Sequence, residues 1–212
     1  MLQIRWHGHA CFEVTNKVTI ITDPHDGKSI GIPTPQVTGD IILVSHDHYD
    51  HNSVKIVDKP SSKVITDDKP RTIDTVTIKG LESFHDEVCG EKRGKNIIYK
   101  FTVDNITFCH LGDLGHPLET KTIQQLSDVD ILFIPVGGTF TIGADDAWDV
   151  INKLKPKIAI PMHYKTHGLS LPIAGVEPFL EKNKFKQLKV GNEIDIEKED
   201  LPKETEIWTF SL

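Results

Sequence analysis

Short apolar runs separated by turn-forming residues constrain this chain more than any other feature. Nine of them, CFEV, VTIIT, DIILVS, TVTIKG, NIIYKFTV, NITFCHL, DILFIPV, KIAIPM and EIDI, are four to eight residues long. They are rich in Val, Ile and Thr and are bounded by Gly, Pro, Asp and Asn, which predicts strands. Several are too continuously apolar for a sheet with one wet face, so they are expected inside a layered structure. The N-terminal MLQIRWHGHACFEV reads as a first strand, because it lacks the basic start and apolar stretch of a secretion leader. IWTFSL reads as a last strand. In FTVDNITF, Asp104-Asn105 sits between two runs and predicts a tight hairpin.

Helical spacing enters later. ADDAWDVINKLKP places Ala147, Val150, Ile151 and Leu154 on one side, and Pro156 closes it. LETKTIQQLSD and GVEPFLEKN are shorter candidates, and NSVKIVDK is expected to turn into a helix after His51. Strands mixed with helices predict an α/β architecture of sheets covered by helices. No repeat or linker breaks the chain, so residues 1–212 are expected to form one domain.

The stretch SHDHYDH, residues 45–51, follows the run DIILV and carries three imidazoles and two carboxylates. His46, His48 and Asp50 are alternate residues, so an extended backbone projects them to one side. His51 lies where the chain turns. Neutral imidazoles and carboxylates suit Zn²⁺ or a similar divalent ion. A metal site needs further ligands, and three candidates lie just past predicted strands: His85 after TVTIKGLESF, Asp113 after NITFCHLG and His163 after KIAIPM.

With these residues in place, the sequence resembles the metallo-β-lactamase superfamily. HDHYDH matches its His-x-His-x-Asp-His signature, Asp23 in IITDP its first motif, and His85, Asp113 and His163 its later motifs. The flanking WHGHACF and PVGGTFTIGADDA look more like the branch that includes ascorbate-6-phosphate lactonase. The resemblance implies a four-layer αβ/βα sandwich of two mixed β-sheets flanked by helices, with two metal ions at one edge. It implies His46, His48 and His85 on one ion, Asp50, His51 and His163 on the other, and Asp113 bridging. Zinc is the expected metal, with manganese, nickel or iron as alternatives.

The function so implied is a binuclear hydrolase whose metal-bridged hydroxide attacks a small ester-like bond in a lactone, phosphodiester or related group. Asp50 and Asp23 count among its working residues, Asp23 as the carboxylate that holds the ring N–H of a ligand histidine. His9 is expected either to contact substrate or to be a structural histidine satisfied by backbone. His116 is a candidate for lining the pocket, whereas His110 is expected to bond internally. Arg93 and Lys95, in the Gly-flanked loop CGEKRGKN, are either anion-binding groups for a substrate phosphate or carboxylate, or a solvated loop.

Other classes fit less well. A net charge of −7 argues against nucleic acid or an anionic membrane surface as partner. Iron-dependent oxidation on the same scaffold, RNA processing, and a non-catalytic metal-binding module stand as alternatives. No apolar stretch is long enough for a membrane span. Three scattered cysteines suit neither a disulfide framework nor a thiolate site, so a reducing, cytoplasmic setting is expected. Oligomeric state has no signature here.

Overall fold

The computed structural model describes residues 1–212. In chain order its strands are β1 (Leu2–Trp6), β2 (Phe12–Thr15), β3 (Thr19–Thr22), β4 (Ile41–Leu43), β5 (Lys63–Ile65), β6 (Arg71–Ile73), β7 (Val76–Phe84), β8 (Lys95–Val103), β9 (Ile106–His110), β10 (Ile131–Pro135), β11 (Ile158–Met162), β12 (Lys186–Lys189), β13 (Glu193–Ile196) and β14 (Glu206–Thr209). Three helices join them: α1 (Thr120–Gln125), α2 (Ala144–Leu154) and α3 (Glu177–Leu180). One sheet has the order β13-β1-β2-β3-β4-β5, the other β12-β14-β11-β10-β9-β8-β7-β6. Both are mixed. β3 and β4 are parallel in the first, and β9, β10 and β11 are parallel in the second. Two antiparallel pairings relate β7 to β9 through β8, so β7 points the same way.

The inner faces meet in one large core cluster that takes Ile4, Phe12, Ile20 and Leu43 from one sheet and Phe101, Phe108 and Phe133 from the other. Phe12 stacks on Phe133 across the interface with ring centroids 4.1 Å apart. Every residue of β10 and β11 is buried, which explains why their sequences do not alternate. Asp104 and Asn105 both have positive φ, as the expected two-residue hairpin between β8 and β9 requires.

Helix α2 buries Ala147, Trp148, Val150, Ile151 and Leu154, the side its spacing predicts. Lys155 ends it in the left-handed conformation ahead of Pro156. The helix expected over NSVKIVDK is instead a single 3₁₀ turn, Val54–Ile56, with no buried residue of its own. Only Val54 of its residues packs on the sheet, half-buried, while Lys55 and Ile56 stay exposed, and Pro60 stops extension. The outer face of the first sheet is covered here by Val57, Val54 and Val37 packed on Cys11, Ile21, Ile42 and Val44, so this layer of the sandwich is thin. Three strands are too short to stand out as apolar runs: β5 (KVI), and the largely polar β6 (RTI) and β12 (KQLK), all of which occupy sheet edges. No helix is long and apolar enough to cross a membrane.

Candidate metal centre

Each chemistry-bearing loop leaves the C-terminal end of a strand. Asp23 follows β3, His46 to His51 follow β4, His85 follows β7, Asp113 follows β9, and His163 follows β11. Because these strands share a direction within each sheet, their exits gather at one edge of the sandwich. The Tyr99 hydroxyl on β8 lies 3.1 Å from the carbonyls of Val44 and Ile65, tying the second sheet to the first beside the loop that carries His46.

Two sets of donors form there. The ligand atoms of His46, His48 and His85 lie within 4.8 Å of one another, and so do those of His9, Asp50, His51 and His163. Asp113 joins them. Its Oδ2 lies 3.1 Å from His85 Nε2 and 3.1 Å from His163 Nε2, with His51 Nε2 at 3.3 Å and His46 Nε2 at 3.8 Å. Apart from His48 these groups are buried.

Several polar atoms in this pocket have no hydrogen-bond partner: Nε2 of His46 and His51, Nδ1 of His9, His85 and His163, and Oδ1 of Asp113. Buried orphans of this kind are costly unless something else completes them. Nitrogen and carboxylate oxygen donors converging within a few ångströms fit a borderline divalent cation. The residues present therefore suit the metals that the sequence motifs imply.

The protonation pattern fits too. Burial, reinforced by the charge of His163, pushes His9 down to about 3, and burial with His51 does the same to His46. Burial alone would raise the Asp113 carboxyl, but the charges and hydrogen bonds of His163 and His51 hold it well below the usual range. Asp50 likewise stays below that range, because the His9 hydrogen bond and the His51 charge outweigh burial. His51 is the exception: burial opposes its charge, yet Asp113 and then Asp23 raise it well above the ordinary value. Neutral imidazoles and ionised carboxylates are the forms that ligate metals.

Asp23 sets the tautomers. Its Oδ1 accepts from Ser45 N–H at 2.7 Å, and its Oδ2 accepts from the Ser45 hydroxyl at 2.6 Å and from His51 Nδ1–H at 3.0 Å. With the hydroxyl proton spent on Asp23, Ser45 Oγ accepts from His46 Nδ1–H at 2.8 Å. With Nδ1–H engaged in this way, the neutral form of each ring carries its lone pair on Nε2. Asn96, fully buried, locks the neighbouring loop: its Oδ1 accepts from Asp113 N–H at 2.9 Å while its amide donates to Leu111 O and Ser83 Oγ.

Backbone strain concentrates in the same place. His9, Asp23 and His163 all have positive φ, at 54°, 38° and 52°. Such conformations cost non-glycine residues about 1–3 kcal/mol each and persist where surrounding contacts over-determine them. Here His163 N–H donates to His9 O at 3.2 Å, and Trp6 Nε1–H donates to the same carbonyl at 3.1 Å.

The remaining candidates separate. His9 is completely buried, and its Nε2 lies 3.1 Å from Asp50 Oδ2, so it faces a carboxylate and not open space. His116 does not line the pocket with a free nitrogen: its Nε2 accepts from Phe84 N–H at 3.2 Å and its Nδ1–H donates to Pro117 O at 2.8 Å. Its two ring nitrogens brace the turn beside His85 instead. His110, donating to Ala10 O and accepting from Gly112 N–H, is internally bonded as expected. Arg93 and Lys95 line a cavity of about 410 Å³ together with His46 and His48. Ser45 and Asn96 were not legible as site residues, because their partners come from distant parts of the chain.

Two mixed sheets with a buried histidine and carboxylate cluster at their strand exits define the metallo-β-lactamase fold. The chain belongs to the beta-lactamase superfamily, whose domain description matches residues 3–163. It is 29% identical over 197 residues to a UPF0173 metal-dependent hydrolase of Thermoplasma acidophilum, covering 79% of this chain and 85% of that one. A Thermoplasma volcanium protein of the same description is 30% identical, covering 78% and 84%. A crystal structure from Thermotoga maritima, a candidate Zn-dependent hydrolase of the metallo-β-lactamase superfamily, superposes with a TM-score of 0.80 at 37% identity over the whole of both chains.

Proposed function

We propose that the protein is a metal-dependent hydrolase that holds two divalent ions and cleaves a small ester-like bond, such as that of a lactone or phosphodiester. The observation that carries this reading is the position of Asp113 Oδ2, in contact with imidazoles from both donor sets at once. His46, His48 and His85 would take one ion, Asp50, His51 and His163 the other, and Asp113 would bridge. Zinc suits these donors, with manganese, nickel or iron as alternatives. When bound, such ions polarise the electrophile's oxygen and lower the pKa of bound water from about 15.7 to about 7.

The protein's own groups supply orientation. Asp23 fixes His51 directly and His46 through Ser45. His9 donates to Asp50 and holds its carboxylate toward His51. The descriptions of the Thermoplasma and Thermotoga relatives support the reaction class. Three free thiols suit a reducing cytoplasmic compartment, and the net charge of −7 favours a small molecule over nucleic acid as partner.

The test is metal analysis of purified protein, followed by chelation and re-addition against lactone, phosphodiester and thioester substrates. Two ions per chain and turnover that disappears and returns with metal are expected. A fully loaded protein that hydrolyses none of these substrates sinks the reading.

A further inference from the structure

The chain has three arginines, and two are neutralised: Arg5 by Glu193 and Arg71 by Asp67. Arg93 is exposed and carries no carboxylate partner. Its guanidinium instead sits over the Phe140 ring, 5.4 Å from the centroid. The two residues come from opposite flanks of the metal centre. Gly94, next to Arg93, accepts the backbone N–H of His85 at 3.1 Å, whereas Phe140 belongs to the loop whose Gly137 packs directly on the His163 carbonyl.

The loop is held in place. Asp86 accepts four backbone N–H groups, from Val88, Gly90, Lys92 and Arg93, at 2.8–3.0 Å. Enclosure works the other way, but these four donors hold the Asp86 carboxyl down at about 2. The backbone at Arg93 is thus already ordered, so ligand binding has only its side chain left to fix. Lys95, on the same cavity wall, is different. It is paired with Glu82 at 2.7 Å, and Asp68 adds a second negative influence. The lining also holds Asp47, Asp67, Asp68 and Glu82 beside His46 and His48, but Glu82 and Asp68 act on Lys95 and Asp67 pairs with Arg71, so Arg93 is the cation of this cavity that no carboxylate neutralises.

We propose that Arg93 is the anchor for an oxyanion on the substrate, so that this centre acts on small esters or lactones carrying a carboxylate or phosphate group near the scissile bond. The inference rests on the hydrolase reading for its reaction, though the binding itself does not. A guanidinium fork recognises two oxygens of such a group at once, and the Phe140 ring, 5.4 Å away, backs it. The volume of about 410 Å³ suits a small molecule and not a polymer.

Phenylphosphonate is a suitable probe, because it carries the oxyanion and its C–P bond resists hydrolysis. Calorimetric titration into metal-loaded protein should show binding that Arg93→Ala weakens about tenfold or more. Arg93→Lys should recover part of it, and Lys95→Ala should stay within about twofold of wild type. Metal content, measured in parallel, should not change in any variant. Equal affinity in wild type and Arg93→Ala would mean that the ions alone hold the anion, and overturns the proposal. So does an absence of binding to wild type, or an equal loss in Lys95→Ala. Because the readout is binding and not turnover, protein that binds through Arg93 yet hydrolyses nothing would sink only the hydrolase reading.

Discussion

Ser45 and Asp23 are joined by two hydrogen bonds, one from the serine amide at 2.7 Å and one from its hydroxyl at 2.6 Å. The pair links the donor sets, because Asp23 also receives His51 and Ser45 receives His46. Asp23→Asn should therefore weaken metal at both positions, by about 10–100-fold. Ser45→Ala should act mainly on the set containing His46. It should also cost about 1–3 kcal/mol of stability by leaving buried groups unpaired. Chelator-competition titrations measure both effects. Equal loss at both positions in Ser45→Ala would contradict the relay.

His9 bears on the other set alone. Its Nε2 contacts Asp50 Oδ2 at 3.1 Å, and its ring centroid lies 4.1 Å from that of His163. His9→Ala should lower affinity at the Asp50, His51 and His163 position by about tenfold, leaving the first position intact. Stepwise cobalt substitution followed optically distinguishes the two. A variant that fills both positions with wild-type affinity would remove His9 from the metal centre.

The three thiols should differ sharply in reactivity. Cys89 is exposed, whereas Cys11 and Cys109 are completely buried, and burial pushes both of those thiols up from their ordinary value. Since the thiolate is the reactive form, a maleimide reagent at neutral pH should label one site in the folded protein and three after denaturation. Rapid labelling of all three in the native state would mean that both the cover over Cys11 and the core around Cys109 open.

Much of this organisation is visible in the sequence for simple reasons. Buried strands such as Ile131–Pro135 are continuous apolar runs, and the alternation of His46, His48 and Asp50 marks convergence in an extended segment. What stayed hidden depends on partners far along the chain. Lys63–Ile65 is too short for its Val and Ile to form a pattern, and Lys186–Lys189 is nearly all polar, so both become legible as strands only when a neighbour offers an edge to pair with. Asn96 lies in an ordinary strand pattern, and only the fold brings it to the Asp113 backbone. Pairing also separates Arg93 from Lys95, which read alike in CGEKRGKN until Glu82 is placed beside the lysine.

Away from the centre, Asp40 offers a test of pH dependence. Lys59 Nζ lies 2.6 Å from its Oδ1 and Thr19 N–H donates to its Oδ2 at 2.9 Å. The Lys59 hydrogen bond, with that of Thr19 next, holds this carboxyl below its ordinary value. An unfolded Asp titrates near about 3.9, so the contribution is present above that pH and is lost as pH falls through the lower folded value. Asp40→Asn should flatten this part of the acid limb in a plot of Tm against pH. At neutral pH it should shift Tm by no more than about 2–4 °C, since the pair is partly solvated. Acid also strips metal, but equally from both proteins, so the difference curve isolates Asp40. An unchanged difference between pH 2 and 5, roughly the window of an Asp, would remove it from the linkage.

Gly112 and Gly94 separate strain from contact. Both have positive φ, 56° and 87°, so alanine at either is strained by its backbone. A Cβ at Gly94 meets nothing within 4 Å, whereas one at Gly112 would lie 2.3 Å from Asn96 Oδ1 and 2.6 Å from Ser45 Cβ. Gly94→Ala should therefore cost about 1 kcal/mol in denaturant unfolding, the conformational part alone. Gly112→Ala adds a collision with the two side chains that position His46 and Asp113, so it should exceed that cost by about 1–3 kcal/mol. It should also weaken metal binding, which Gly94→Ala leaves unchanged. If both variants lost the same stability and kept the same metal affinity, the packing of Gly112 against Ser45 and Asn96 would have no part in shaping the centre.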